Sequence, residues 1–371
     1  MTSSTHLQEG RHLKHDEYQV VQYYPELKSQ VLDVLQHLWK GNPAEHASHF
    51  DWKYTTNPHV SSPLAIVALN GSQVLGFRGY FPVRFKIDGR TDTIIVLIPG
   101  DTCVHPHHRR KGLSVAMNNL ASKEYAPKYP LYLSLSCNNK SLPGNMKMGF
   151  LPLKKKIYMT HYSLSGFIKY SLAKRKGQEL PLEASPITFG RFGSFMVSHR
   201  PLPEQMAAVI AAQGTIGSNF SLLQDTRYFE WRFNSRKHKY VFYYLMKDEV
   251  MRGYIVMGVS LCNIRGYILD YAQGDNLAIK ELLGCIIHAK HFDIISIYSY
   301  AVDSDLGTIL SDLRFTLHSP IRFLARNLHG ELPLLVRPIK KKVSESDFYI
   351  GGLDVRKIEN WSLKPICSDA A

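Results

Sequence analysis

The sequence predicts an α/β protein with mixed sheets, built from two related halves in a chain of 371 residues. Two observations carry this prediction. A strand, a basic turn and a helix follow one another between residues 94 and 120. A short pattern of aromatic, acid, Trp, base, aromatic also occurs twice, each time ahead of a run of strands. A chain of this length commonly divides into two domains, each able to bury its own core.

The pattern first stands at His49-Phe50-Asp51-Trp52-Lys53-Tyr54-Thr55-Thr56-Asn57, before apolar stretches at 64–69 and 76–83. It returns at Tyr228-Phe229-Glu230-Trp231-Arg232-Phe233-Asn234, before stretches at 240–246 and 253–259. A repeat of this period indicates duplicated domains rather than a solenoid. Between the copies, an apolar run at 94–98 leads to Val104-His105-Pro106-His107-His108-Arg109-Arg110-Lys111-Gly112-Leu113-Ser114. Pro106 ends the ladder. Past Gly112, Leu113, Ala116, Met117 and Leu120 keep the spacing of an amphipathic helix. A strand at 132–136 follows, then Asn138-x-x-Ser141 and Lys147-x-Gly149-Phe150. The second half repeats this order, with strands at 266–271 and 294–300 and helices at 277–289 and 304–313. Its corresponding turn at 272–276 carries Asp275 and no cation. Residues 169–200, with Lys174-Arg175-Lys176, Pro181 and Pro186, are expected to connect domains at 1–168 and 201–371 and to hold short strands of their own. The polar tail after Trp361 is expected to be mobile.

Composition bounds the function. The 44% apolar and 20% charged residues are those of a water-soluble globular chain. No apolar run is long enough to cross a bilayer, and the first thirty residues lack a signal-peptide core, so a cytoplasmic protein with no membrane partner is expected. Five cysteines (Cys103, Cys137, Cys262, Cys285, Cys367) with no CxxC spacing indicate neither a disulfide framework nor a zinc site, and no metal is expected. The net charge of +14 calls for an anionic partner. The positive charge is dispersed and no RNP, zinc-finger or homeodomain pattern is present, which favours small phosphorylated ligands over nucleic acid.

The turn before residue 113 has the chemistry of a diphosphate site. A helix entrance offers unpaired N–H groups and partial positive charge, and Arg109, Arg110 and Lys111 add cations. It lacks the Gly-Lys-Ser/Thr ending of a Walker loop and the first two glycines of a Rossmann fingerprint. The order Arg109-x-x-Gly112-x-Ser114 after a Val-x-Pro strand end resembles the acyl-CoA loop of the GNAT acyltransferase superfamily. The stretch from Asn138 to Phe150 is similar to that family's next helix and strand.

The resemblance implies tandem GNAT folds, the first binding acyl-CoA and the second degenerate, with the acceptor between them. It assigns Cys103 and Val104 to the thioester, residues 109–114 including Leu113 to the diphosphate, and Asn138, Ser141 and Asn145 to the pantetheine end. Asn145 stands where many members carry a Tyr that protonates the leaving thiolate, a proton an amide does not supply.

Asp101, a lone carboxylate in an apolar strand, is a candidate proton acceptor and equally a turn residue after Pro99-Gly100. His105 is the second candidate, by its imidazole pKa. Trp52, Tyr54 and Trp231 could stack on an acceptor ring or pack at the start of each domain. Arg78 and Tyr80 lie in a strand beside the acyl-CoA strand of the family and are candidate substrate contacts. Cys137 lacks a basic partner and reads as a small apolar residue.

By resemblance the protein is an acyl-CoA-dependent N-acyltransferase (EC 2.3.1). The nearest type acylates a dTDP-linked amino-dideoxy sugar of surface-polysaccharide (lipopolysaccharide O-antigen) biosynthesis, with an acetyl or short hydroxyacyl donor. An aminoglycoside, a peptide amine, a cell-wall precursor, or a non-catalytic nucleic-acid-binding role are the alternatives.

Overall fold

The computed structural model describes residues 18–163, 165–166, 168–169, 172, 190–192, 194–213, 219–235, 238–260, 264–274, 277–317 and 332–368. The Lys174-Arg175-Lys176 patch and the Asp275 turn residue lie outside these. The first half runs β1 (Gln19–Gln22), α1 (Lys28–Leu35), α2 (Pro43–Phe50), β2 (Leu64–Asn70), β3 (Gln73–Ile87), β4 (Thr93–Val104), α3 (Leu113–Tyr125), β5 (Leu131–Ser134), α4 (Leu142–Lys147), β6 (Leu151–Lys155) and β7 (Tyr158–Tyr162). The chain continues through β8 (Gly190–Phe192), β9 (Phe195–Ser198), α5 (Pro203–Ala212), β10 (Phe220–Leu222), α6 (Thr226–Arg232), β11 (Tyr240–Lys247), β12 (Val250–Ser260) and β13 (Arg265–Gln273). The remainder is α7 (Ala278–His288), β14 (Ile294–Tyr298), α8 (Ser304–Asp312), β15 (Pro333–Pro338), a small hairpin β16 (Tyr349–Ile350) and β17 (Leu353–Asp354), and β18 (Trp361–Ser362).

Two large sheets result. The main path of the first is β1-β2-β3-β4-β5-β15-β6, and the second is β7-β14-β13-β12-β11-β9-β8. Along these paths each is antiparallel except for one parallel pair, β4 with β5 and β13 with β14; β10 and β18, off the first path, are also parallel. Beyond each parallel pair lies a strand from the other half of the chain: β15 pairs with β5, and β7 pairs with β14. The halves therefore exchange a strand, and the expected divisions near 168 and 200 do not follow the sheets. β8 and β9, expected within the connection, are the edge of the second sheet.

The tail also departs from expectation. β18 pairs with β10, and Leu363, Ile366 and Cys367 are buried. An apolar residue at nearly every second or third position gives this segment enough surface to bury, which outweighs its polar flanks.

Alternation along the strands assigns the core. In the first half Ile66, Ala68 and Tyr80 face the α3 side with Leu113, Met117 and Ala121. Ala65, Val67 and Phe77 face the opposite side with Val31, Leu35 and Phe50. A third core is continuous across the halves, from Phe81 and Leu133 to Val241 and Ile255. The repeated tryptophans lie within it. Trp52 and Trp231 stack with centroids 5.5 Å apart and planes 12° from parallel. Trp52 Nε1 donates to the Trp231 carbonyl at 3.0 Å, and Trp231 Nε1 donates to the Trp52 carbonyl at 2.8 Å. This reciprocity marks a local two-fold relation between the halves. The repeat is the joint of the molecule.

Candidate functional site

β4 and β5 pair only at Val96 with Leu131 and Leu97 with Tyr132, and then diverge. The rest of β4, from Ile98 to Val104, forms one arm of a V. Beyond it, residues 106–108 make a single 3₁₀ turn, and Arg110 (φ 64°) and Gly112 (φ 79°) take left-handed backbone. Gly112 starts α3, and a side chain at that φ would be strained. The N–H groups of Gly112, Leu113 and Ser114 stand at the helix entrance, where no intrahelical acceptor exists.

The cations around this entrance are partly fixed in place. Arg109 Nε donates to the Val104 carbonyl at 3.0 Å, Lys111 Nζ donates to the Tyr18 hydroxyl at 2.6 Å, and Arg110 is exposed. Left-handed glycine, free N–H groups and flanking cations together fit a diphosphate.

Asp101 sits at a bulge in the β3–β4 ladder with φ 44°. Both its oxygens accept hydrogen bonds. Trp39 Nε1 donates to Oδ1 at 2.9 Å, and Tyr54 Oη (2.7 Å) and Lys53 Nζ donate to Oδ2. Burial would raise the carboxyl pKa, but the Lys53 charge and these donors hold it below the usual carboxylate value. The carboxylate is thus the counter-ion of a buried lysine and a weak base. Gly79 is needed on the opposite strand because a Cβ there would collide with the Tyr54 hydroxyl.

His105 lies just past β4, with its N–H donating to the Leu75 carbonyl at 2.8 Å and Nδ1 unpartnered. Desolvation, with His37, His107, His108 and Arg109 nearby, holds its pKa below the usual imidazole value. Cys103 is buried, donates Sγ–H to the Val34 carbonyl, and its thiol is pushed up to about 11 by burial. Asn138 uses Oδ1 to accept from the N–H groups of Lys140 and Ser141, capping the turn into α4. Asn145 is buried with Nδ2 3.7 Å from Cys137 Sγ.

The residues expected to contact the acceptor are engaged within the protein. Trp52 and Trp231 stack on each other, Tyr54 holds Asp101, and Tyr80 is buried with its hydroxyl on Asn118 Oδ1 at 3.1 Å. Arg78 is buried over the Tyr80 ring. These five residues form the joint and core of the molecule, because large side chains on the inward faces of central strands and at the joint gain most by packing.

A cavity of about 600 Å³ instead opens where the tips of β5 and β14 face each other. Leu135, Ser136 and Lys156 line it from the first half, and Tyr240, Tyr267 and Tyr298 from the second. The sequence pattern placed Lys53 in the repeat without a role at a site and pointed to no role for Lys156. Among the described residues, no group of three His, Cys, Asp or Glu side chains could hold a metal ion, and no helix is long and apolar enough to cross a membrane.

The fold resembles solved acyltransferase structures at low identity. A GCN5-related N-acetyltransferase from Anabaena variabilis matches with a TM-score of 0.58 and 13% identity, over 87% of this chain and 73% of that one. A GCN5-related N-acetyltransferase from Kribbella flavida matches at 0.54 and 11%, over 87% and 71%. Eis1 from Mycobacterium abscessus matches at 0.52 and 11%, over 87% and 73%. No family model and no curated protein matches the sequence. The chain has a mixed α/β fold of tandem GNAT-like units.

Proposed function

We propose that the chain is an acyl-CoA-dependent N-acyltransferase whose cofactor site lies in the first half. The observation that carries the reading is the left-handed Gly112 turn at the mouth of the V between β4 and β5. Gly112, Leu113 and Ser114 would hold the diphosphate through backbone N–H groups, with Arg109, Arg110 and Lys111 around it. When bound, acyl-CoA supplies an activated thioester: an amine nitrogen bonds to its carbon, the C–S bond breaks, the amine loses one proton and the sulfur gains one.

Within this proposal Asp101 positions rather than accepts. Ionised and hydrogen-bonded by Trp39, Lys53 and Tyr54, it fixes the β4 bulge beside the V. His105 is the better acceptor for the amine proton, since desolvation holds its imidazole pKa below the usual value and its buried Nδ1 has no hydrogen-bond partner. Asn138, Ser141 and Asn145 shape the far arm, and Asn145 contributes a hydrogen bond but no acid.

The acceptor we infer is a primary amine carried on an anionic, ring-bearing molecule, with the dTDP-linked amino sugar as its specific form. The net charge of +14 supports an anion, and the family resemblance supports the sugar. A thiol-release assay across acyl-CoAs and amine acceptors tests it. Acyl-CoA-dependent thiol release with a dTDP-amino sugar, absent with aminoglycosides and peptides, is the expected result; no release with any amine would overturn the activity.

A further inference from the structure

The cavity between the halves has a composition that the cofactor site does not explain. Residues just past β5 (Leu135, Ser136) and at the end of β14 (Ser296, Ile297, Tyr298) both line it, so it borders both Vs of the molecule. In the second half the V is cut short on the helix side. Lys364 Nζ donates to the Tyr271 carbonyl at 2.7 Å and pairs with Asp270 at 2.9 Å, placing the C-terminal segment across β13. The remaining space faces Lys156 and the β5 tip of the first half.

Its walls combine tyrosine rings with cations. Tyr158, Tyr240, Tyr267, Tyr298 and Tyr300 line it, and Lys156, Lys239 and His238 supply the polar edge. No carboxylate is among the described lining residues. Lys156 is half-buried, and its Nζ donates to the Leu135 carbonyl at 3.0 Å and the Cys137 carbonyl at 3.5 Å. No described carboxylate pairs with it. An ammonium removed from water without a counter-ion is costly, and an anion brought beside it recovers that cost. A further cation backs the wall: the Arg265 guanidinium lies 4.9 Å from the Tyr158 ring and 4.6 Å from that of Tyr267. A volume of about 600 Å³ is in the range of small-ligand sites.

We propose that this cavity, the blocked cofactor cleft of the second half, is the acceptor's pocket and takes a nucleoside diphosphate, with Lys156 anchoring its phosphate and the tyrosines stacking on its rings. This rests on the acyltransferase reading, which it deepens by naming the surface that selects the acceptor.

Calorimetry on the full chain tests it with dTDP as the probe and acetyl-CoA titrated separately. The expected result is one dTDP site that acetyl-CoA does not displace. Lys156→Met should weaken dTDP at least tenfold and Tyr298→Leu several-fold, with acetyl-CoA affinity unchanged, while Lys156→Arg restores binding. Absence of dTDP binding, displacement by acetyl-CoA, or wild-type binding in both weakened variants would overturn the pocket. If Lys156→Met does not fold, Lys239→Met on the exposed edge carries the same test, with a several-fold loss expected and no loss contradicting it. The two readings fail separately: dTDP binding that depends on Lys156 without any acetyl-CoA binding would refute the acyltransferase and leave the pocket.

Discussion

The two halves place a carboxylate at matching points of their central strands, and they neutralise it differently. Asp101 lies at the β3–β4 bulge and is paired by Lys53, the base of the first repeat. Asp270 lies at the β12–β13 bulge and is paired by Lys364, from the tail. The base of the second repeat, Arg232, is buried and instead donates to the Ile366 and Ser368 carbonyls at 3.2 and 3.1 Å. The tail therefore forms part of the wall of the second cleft. The first half keeps an open arm, followed by a long turn with left-handed Arg110 and Gly112. The second leads through Gly274 and Leu277 into α7 with a non-glycine start at φ −105°. One fold thus yields two kinds of cleft, one with a left-handed turn at its mouth and one partly filled by its own chain.

The sharpest way to break the comparison is at the carboxylates. Asp101→Asn leaves Lys53 buried without a counter-charge and should cost about 3–5 kcal/mol of stability. Thermal unfolding should show Asp270→Asn costing a similar amount, since Lys364 loses its partner in the same way. The pH dependence has a definite sign. A carboxyl held below its usual value stabilises the fold above pH 3.8, and that contribution is lost as pH falls through the lowered pKa. Acid unfolding of the wild type should therefore steepen below that point, and Asp101→Asn should lack this component.

The turn comes next in size. Gly112→Asp forces a side chain into left-handed backbone and puts a negative charge where phosphate is expected, so calorimetry should show at least about a hundredfold loss of CoA affinity, roughly 3 kcal/mol. Replacing Gly274 with Asp in the second half should leave CoA affinity unchanged. Arg109→Ala removes one charge-assisted contact and should cost about 1.5–3 kcal/mol of CoA binding.

The smallest effect at neutral pH lies at the joint. His59 is buried against Tyr228, and burial pushes its pKa down to about 4. The unfolded chain takes up this proton first, so stability should fall with acidification between pH 6.5 and about 4, by at most about 1.4 kcal/mol per unit. His59→Leu should flatten that limb of a pH-dependent unfolding curve. An unchanged slope would place the acid sensitivity elsewhere.

What the sequence showed was local. Pro106, Gly112 and the spacing of Leu113, Met117 and Leu120 act within one strand, turn and helix, and all three elements form where expected. The repeat of aromatic, acid, Trp, base, aromatic correctly marked duplicated halves, and its role at the joint was among the readings left open. Pairing partners were not legible. Nothing in Tyr158–Tyr162 names β14 as its neighbour, because strand patterning shows which face is buried and not which strand lies alongside. The same distance hid Lys53 from Asp101, 48 residues apart. The buried tail did leave a signal in Trp361, Leu363 and Ile366, which polar neighbours masked.

The central claim is that only the first half keeps a cofactor cleft. Titration of the full chain with acetyl-CoA measures it most directly. One site per chain is expected, abolished by Gly112→Asp in a variant that still melts cooperatively. Two sites per chain, or one that survives Gly112→Asp, would contradict it.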